Sequence, residues 1–261
     1  MNDDATNLPT HRSEARPRVS DIQVEFGALS HTGKVRTNNE DHFLICQLNR
    51  AIKTILTNVS AYMIPDEAAD TAYGMVVADG MGGRAAGEVA SREAIAALWE
   101  LVRETPDWVM RLDDSDMAGV IQYRLKTRFD KIRAKLLEKT ERDSSLKGMG
   151  TTFTIAASLG HDLFIGHLGD SRAYLFSCDH LYRLTQDQTV AQELANAGAM
   201  PAERVKVHPM RHMLTGGITT AGESERMPQL YRLRIRTDDQ VLLCSDGLTD
   251  SISDESIANV L

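Results

Sequence analysis

The 261-residue chain has only three cysteines, Cys46, Cys178 and Cys244, far apart and with no C-x-x-C pair. That spacing excludes a zinc ribbon, and an odd, scattered set excludes a disulfide framework. Each thiol sits in or beside an apolar run and reads as a buried free thiol in a reducing compartment, the cytoplasm. No apolar run approaches the roughly 20 residues that cross a bilayer. The opening MNDDATNLPTHRSEARPRVS has no hydrophobic stretch, so it is not a secretory signal, and residues 1–22 read as a disordered polar leader. A basic block is missing as well: 29 Lys and Arg against 37 Asp and Glu leave a net charge of −8, which suits neither nucleic acid nor an anionic membrane. What remains, 42% hydrophobic and 25% charged, is ordinary globular usage with enough apolar material for a large core.

Past the leader, IQVEFGALS (22–30) and DHFLICQL (41–48) read as short strands. Residues 47–72 read as an insertion, where Ile52, Ile55, Val59 and Met63 fall at helical spacing but PDEAAD marks a loop. YGMVVAD (73–79) is a buried strand. A helix follows over 85–104, with Val89, Ala94, Ala97, Leu98 and Leu101 near one face. A second covers 117–140, its Ile121, Leu125, Phe129, Ile132 and Leu136 recurring every three or four residues. TTFTIAASL, DLFIGHL and RAYLFS are strand-like runs joined by tight turns, and residues 188–199 form a helix stopping at Gly198. MPQLYRLRIR and QVLLCS are strands, and Ser253 caps a last helix. Strands, two adjacent helices, then more strands do not alternate as a doubly wound sheet does. The order implies an α+β fold of antiparallel sheets with helices on their outer faces.

Three of the strands end on an acid beside small residues: Asp79 in VVADG, Asp170 in HLGDSR and Asp246 in LLCSDG. One Asp-Gly alone is an ordinary turn. Three carboxylates closing apolar strands repel one another unless a cation lies between them, and small neighbours leave room for the carbonyls and waters that Mg²⁺ and Mn²⁺ prefer. In HTGKVRTNNED (31–41), Arg36 stands four residues before Glu40, and Asp41 follows. An Arg fork matches a phosphate dianion, with an exposed ion pair as the plainer reading.

VRTNNED, VVADGMGGRAAGEVAS, GMGTTFT, HLGDSRAYLF and LLCSDGLTDSISDESI follow one another as in the metal-dependent Ser/Thr phosphatases, the protein phosphatase 2C family, and the chain resembles its bacterial members from about residue 24 onward. The resemblance implies a β-sandwich flanked by α-helices on both outer faces, formed by residues 23–261. It implies that Asp79 bridges two Mg²⁺ or Mn²⁺ ions, the Gly80 carbonyl and Glu40 serving one and Asp246 the other. Asp170 with Asp246 would hold a third, weaker ion; Asp41 would orient water, and Arg36 would grip the substrate phosphate. The implied reaction is direct attack of a water shared by two ions on phosphoserine or phosphothreonine in proteins, targets of a Ser/Thr kinase. Residues 187–222 correspond to a variable flap, whose His208, Arg211 and His212 could touch substrate.

Three departures qualify the resemblance. Met81 stands where many relatives carry a histidine acid, and 47–72 lengthens a short connection. The third is an Asp-Asn motif that relatives carry near the C-terminus, on one of two strands expected after the helix that follows SDGL, its Asp completing the Asp246 site; this sequence ends first, at Leu261. The implied outcomes are a piece of a longer protein, or a weakened enzyme serving as a phosphoprotein-binding regulatory module. In either case the ion near Asp246 would bind less tightly and an uncovered sheet edge would favour association. Small phosphate esters are a further substrate class.

Overall fold

The computed structural model describes residues 23–60, 63–64, 66–82, 85–104, 117–222 and 227–261. The leader, 1–22, lies outside them. Chain order is β1 (Asp41–Lys53), β2 (Glu67–Met81), α1 (Ala85–Glu104), α2 (Met117–Arg142), β3 (Gly150–Thr151), β4 (Phe153–Leu159), β5 (Asp162–Leu168), β6 (Arg172–Ser177), β7 (His180–Arg183), α3 (Val190–Asn196), β8 (Ile218–Thr219), β9 (Gln229–Arg234), β10 (Gln240–Cys244), α4 (Asp246–Thr249) and α5 (Asp254–Ala258). All the ladders are antiparallel. One sheet runs β1-β2-β4-β5-β9, with β3 continuing the line of β4 along β2 and carrying β8; the other runs β10-β6-β7.

Alternation along β2 sets the layers, because successive side chains of a strand point to opposite faces. Val76 and Ala78 join the core formed with α1 and α2. Met75 points the other way, into a cluster of Ala156, Leu163, Ile165 and Ala173 backed by Val241 and Leu243. On α1 the buried residues include Ala90, Ala94 and Ala97, whose small side chains let the helix lie close to the sheet. Phe129 of α2 meets Phe153 of β4 edge to face, ring centroids 5.4 Å apart. On the far side of the smaller sheet, the Tyr174 hydroxyl donates to Asp254 Oδ1 at 3.1 Å and so binds α5. The result is the four-layer α-β-β-α arrangement. No helix among the described residues is long and apolar enough to cross a membrane.

Three expectations change. Residues 23–30 form no strand; Phe26 instead leans on Tyr73, ring centroids 5.4 Å apart, so the apolar alternation serves side-chain packing without a ladder. The helical spacing over 52–63 gives no helix, because 48–53 pair with 67–72 and lengthen the β1/β2 hairpin. Cys178 is exposed rather than buried, while Cys46 is half-buried and Cys244 buried; all three are free. It sits with Asp179 on the β6/β7 turn, both at positive φ (50° and 60°), the geometry a two-residue hairpin turn needs.

His167 lies on the inner face of β5, wholly buried, with Nδ1 2.9 Å from Thr154 Oγ1. Burial, the dominant cause, pulls its pKa down to about 4, against a partial upward pull from Asp187. The folded pKa is below the unfolded one, so this stability is present above about pH 6.5 and lost as pH falls toward about 4. Between pH 7.5 and 5 the wild type should lose about 2 kcal/mol more than His167→Gln in urea unfolding. Parallel curves for the two proteins would contradict this assignment.

Candidate metal centre

The centre forms where the strands of both sheets end. Asp41 and Asp79 are direct partners across β1 and β2, which puts both on the inner face of the sandwich. Thr152 fixes the Asp79 backbone from both sides: its N–H donates to the Asp79 carbonyl at 2.8 Å, and its Oγ1 accepts from the Asp79 N–H at 3.0 Å. Thr151 Oγ1 donates to the same carbonyl at 2.9 Å. Thr152 Oγ1 also meets Ser171 Oγ at 2.8 Å, which ties the end of β2 to the turn that bears Asp170. Gly169 in that turn has φ +113°, and a Cβ there would fall 2.6 Å from the Thr152 side chain, so the close approach requires glycine. From the second sheet, Ser245 Oγ donates to Asp41 Oδ2 at 2.6 Å, and Asp246 follows at the start of α4.

These carboxylates strain against one another. The Asp79 pKa is pushed up to about 9, first by burial and then by Asp41, Asp246 and Asp170. Asp170 is pushed up to about 7, again chiefly by burial, then by Asp246 and Asp187. The neighbouring guanidinium brings little relief, because Arg172 is engaged by Asp187 through Nε–Oδ1 at 3.1 Å and Nη2–Oδ2 at 2.8 Å. Four carboxylates in one half-buried place call for added positive charge. Their all-oxygen donor set fits hard divalent ions such as Mg²⁺ and Mn²⁺.

Glu40 and Gly80 occupy the other face of the same strand ends. A Cβ on Gly80 would fall 2.1 Å from the Gly87 carbonyl oxygen, and one on Gly87 would fall 2.9 Å from Glu40 Cδ. Two glycines therefore let the start of α1 press against β2 with the Glu40 carboxylate alongside. The Glu40 carbonyl accepts from the Gly80 N–H at 3.1 Å and from Ser91 Oγ at 2.6 Å. Arg36 Nη1 stands 3.8 Å from Glu40 Oε2, its side chain 65% exposed, so a free guanidinium face borders the centre.

The flap delivers its residues unequally. His208 Nδ1 accepts from the Met210 N–H at 3.2 Å and shapes its own turn. Arg211 Nη2 reaches Asp250 Oδ2 at 3.4 Å, beside Asp246. His212 lies between Asp246 and Asp250, and its ligand atom clusters with those of Asp170 and Asp246. The sequence reading missed Asp250, Ser245 and the positioning role of Thr152. Only the last left a sequence signal, the polar Thr151-Thr152 pair opening an otherwise apolar strand.

Fold and site together define a class: an α-β-β-α sandwich with an acidic, oxygen-rich centre at one end and a guanidinium at its border. Within it, the chain belongs to the protein phosphatase 2C family, whose model matches residues 64–260. It is 34% identical over 240 residues to the serine/threonine protein phosphatase PstP of Mycobacterium tuberculosis, covering 92% of this chain but 39% of that protein. The chain thus spans well under half the length of that relative. With the protein phosphatase PhpP of Streptococcus pneumoniae the identity is 28% over 239 residues, 91% of this chain and 84% of that one. Among solved structures, the serine/threonine phosphatase of S. agalactiae superposes with a TM-score of 0.66 at 28% identity, over 89% of this chain and 83% of that one. The catalytic domain of PstP in complex with two manganese ions gives 0.58 at 30% identity, over 84% of each chain.

The glycine contacts are directly testable. Gly80→Ala should destabilise the protein by about 2 kcal/mol or more, because backbone on α1 must move to admit a methyl group. Gly27→Ala, with nothing within 4 Å of the added carbon, is the control and should leave thermal unfolding by circular dichroism unchanged.

Proposed function

We propose that residues 23–261 form a metal-dependent phosphatase domain that hydrolyses phosphoserine and phosphothreonine in proteins. The observation that carries this reading is the convergence of Asp41, Asp79, Asp170 and Asp246, where burial first and then the neighbouring acids push the Asp79 carboxyl up to about 9. A module that only bound phosphoproteins could use Arg36 but would have no need of four clustered acids. The manganese complex of the PstP catalytic domain and the names of the bacterial relatives support the enzyme.

On this reading Asp79, Glu40, Asp246 and the Gly80 carbonyl hold two Mg²⁺ or Mn²⁺ ions, and Asp170 with Asp246 serves a third. Ions held there would supply charge neutralisation for the phosphoryl group and an activated water for direct attack on phosphorus. The chain's own groups do the positioning. Ser245 donates to Asp41 Oδ2 and so holds that carboxylate beside Asp79, where it would orient water. Arg36 would offer its exposed guanidinium to the phosphate, and the flap residues His208 and Arg211 would contact the substrate. No covalent nucleophile is required. Substrates would be proteins phosphorylated by a Ser/Thr kinase, and three unpaired cysteines suit the cytoplasm.

Hydrolysis of p-nitrophenyl phosphate and of a phosphothreonine peptide should require Mn²⁺ or Mg²⁺ and vanish with a chelator. Asp79→Ala should lower kcat by about 10³-fold or more; unchanged turnover would overturn the reading. Arg36→Ala should raise KM for the phosphopeptide about tenfold, as expected for loss of a charged hydrogen-bond partner. Its melting temperature should barely move, because an exposed pair at 3.8 Å contributes little to stability. A large drop in melting temperature with unaltered kinetics would instead make Arg36 a structural residue.

A further inference from the structure

One imidazole of the flap faces the acidic centre. His212 Nδ1 lies 3.4 Å from Asp246 Oδ2, and Nε2 lies 3.4 Å from Asp250 Oδ2. The ligand atoms of Asp170, His212 and Asp246 all lie within 4.8 Å of one another. A separation of 3.4 Å is long for an N–H···O hydrogen bond. It suits two ligands side by side on one ion, since donors bound at roughly 2.1 Å in an octahedron sit about 3 Å from their neighbours. The ring nitrogens have different surroundings. Nδ1 looks toward Asp246, and Nε2 looks toward Asp250, which Arg211 Nη2 approaches at 3.4 Å. Asp250 stands at the same 3.4 Å, and a small turn of the ring would bring Nε2–H onto it, the carboxylate contact that fixes which nitrogen keeps its proton and which offers a lone pair.

The flap is also tied to the turn that carries Asp170. Gln188, 2% exposed, donates its backbone N–H to the Gly169 carbonyl at 2.7 Å and accepts from the Gly169 N–H through Oε1 at 2.9 Å. Its own carbonyl accepts from the Thr215 N–H at 2.8 Å, and the Val190 N–H donates to the Met213 carbonyl at 2.8 Å. Gly216 closes the contact, because a Cβ there would fall 1.9 Å from Gln188 Oε1. The residues just after His212 are thereby fastened to the residue just before Asp170. The backbone segment that carries His212 and the turn that carries Asp170 are thus tied together.

We propose that His212 is a ligand of a divalent-ion subsite shared with Asp170 and Asp246, oriented by Asp250, and that its nitrogen makes this subsite prefer Mn²⁺ over Mg²⁺. The preference follows from donor chemistry: imidazole suits transition ions, whereas Mg²⁺ favours oxygen throughout. The proposal rests on the reading of the acidic centre as a metal site, and adds to it a ligand and a selectivity.

Calorimetric titrations of the full chain with Mn²⁺ and Mg²⁺, for wild type, His212→Gln and Asp250→Asn, test it alongside pulsed EPR of bound Mn²⁺. The wild type should show ¹⁴N coupling that disappears in His212→Gln. That variant should bind its weakest Mn²⁺ about tenfold or more less tightly, with Mg²⁺ binding changed by less than about twofold; Asp250→Asn should weaken the same Mn²⁺ about tenfold. No ¹⁴N coupling at saturating Mn²⁺, coupling that survives His212→Gln, or equal loss of Mn²⁺ and Mg²⁺ would each overturn the proposal. Phosphopeptide hydrolysis separates the two readings. A wild type that hydrolyses but shows no ¹⁴N coupling refutes the His212 subsite alone. One that shows the coupling without hydrolysis refutes the enzyme and leaves the subsite standing.

Discussion

Mutual repulsion among Asp41, Asp79, Asp170 and Asp246 is the constraint around which this end of the sandwich is built. Carboxylates left to themselves would swing apart into water, and the surrounding structure is what prevents it. Thr152 grips the Asp79 backbone at both its N–H and its carbonyl. Ser245 pins Asp41, and the Thr152–Ser171 contact links the Asp79 strand end to the Asp170 turn. Each of these groups is a neutral hydroxyl or amide. They hold position without supplying charge, so the electrostatic demand is left for a ligand to meet. Such a site is expected to cost stability when empty and to return it when a cation binds.

The glycines around the centre follow from the same constraint. Gly80, Gly87 and Gly169 stand where backbone, carboxylate or threonine approaches closer than a Cβ would allow. Their neighbours explain the opening pattern of acids beside small residues. Bulk at these positions would force apart the elements whose convergence makes the site.

Much of this was legible in the sequence. The helices announced themselves by periodicity, and α1 begins and ends at the expected residues, Ala85 and Glu104. The three strand-end acids were readable because an aspartate that closes an apolar run has no ordinary reason to be there. Less legible were features set by pairing over long distances. Val24 and Phe26 alternate like a strand, yet whether an alternating segment finds an edge to join is not written in its own residues. The segment read as an insertion has helical spacing, and its partner across the hairpin decided the outcome. The Cys178–Asp179 turn carries no glycine or asparagine to mark it. His212 was readable as a flap residue, but its approach to Asp246 was not, because it depends on a segment some thirty residues upstream folding back on α4.

The long β1/β2 hairpin has a consequence for fidelity. Glu40 and Asp41 are adjacent and face opposite sides of the sheet, one toward α1 and the other toward Asp79. A slip of a single residue between the strands would exchange the two, since each step reverses the face. It would put a longer acid on the inner side and take away the partner of Ser245. The ladder that opposes this slip has thirteen consecutive residue pairs, from Asp41↔Asp79 to Lys53↔Glu67. Its far end takes no part in the chemistry. By lengthening the run of pairs that a misalignment must break, the far half of the hairpin opposes any change in which carboxylate arrives at the centre.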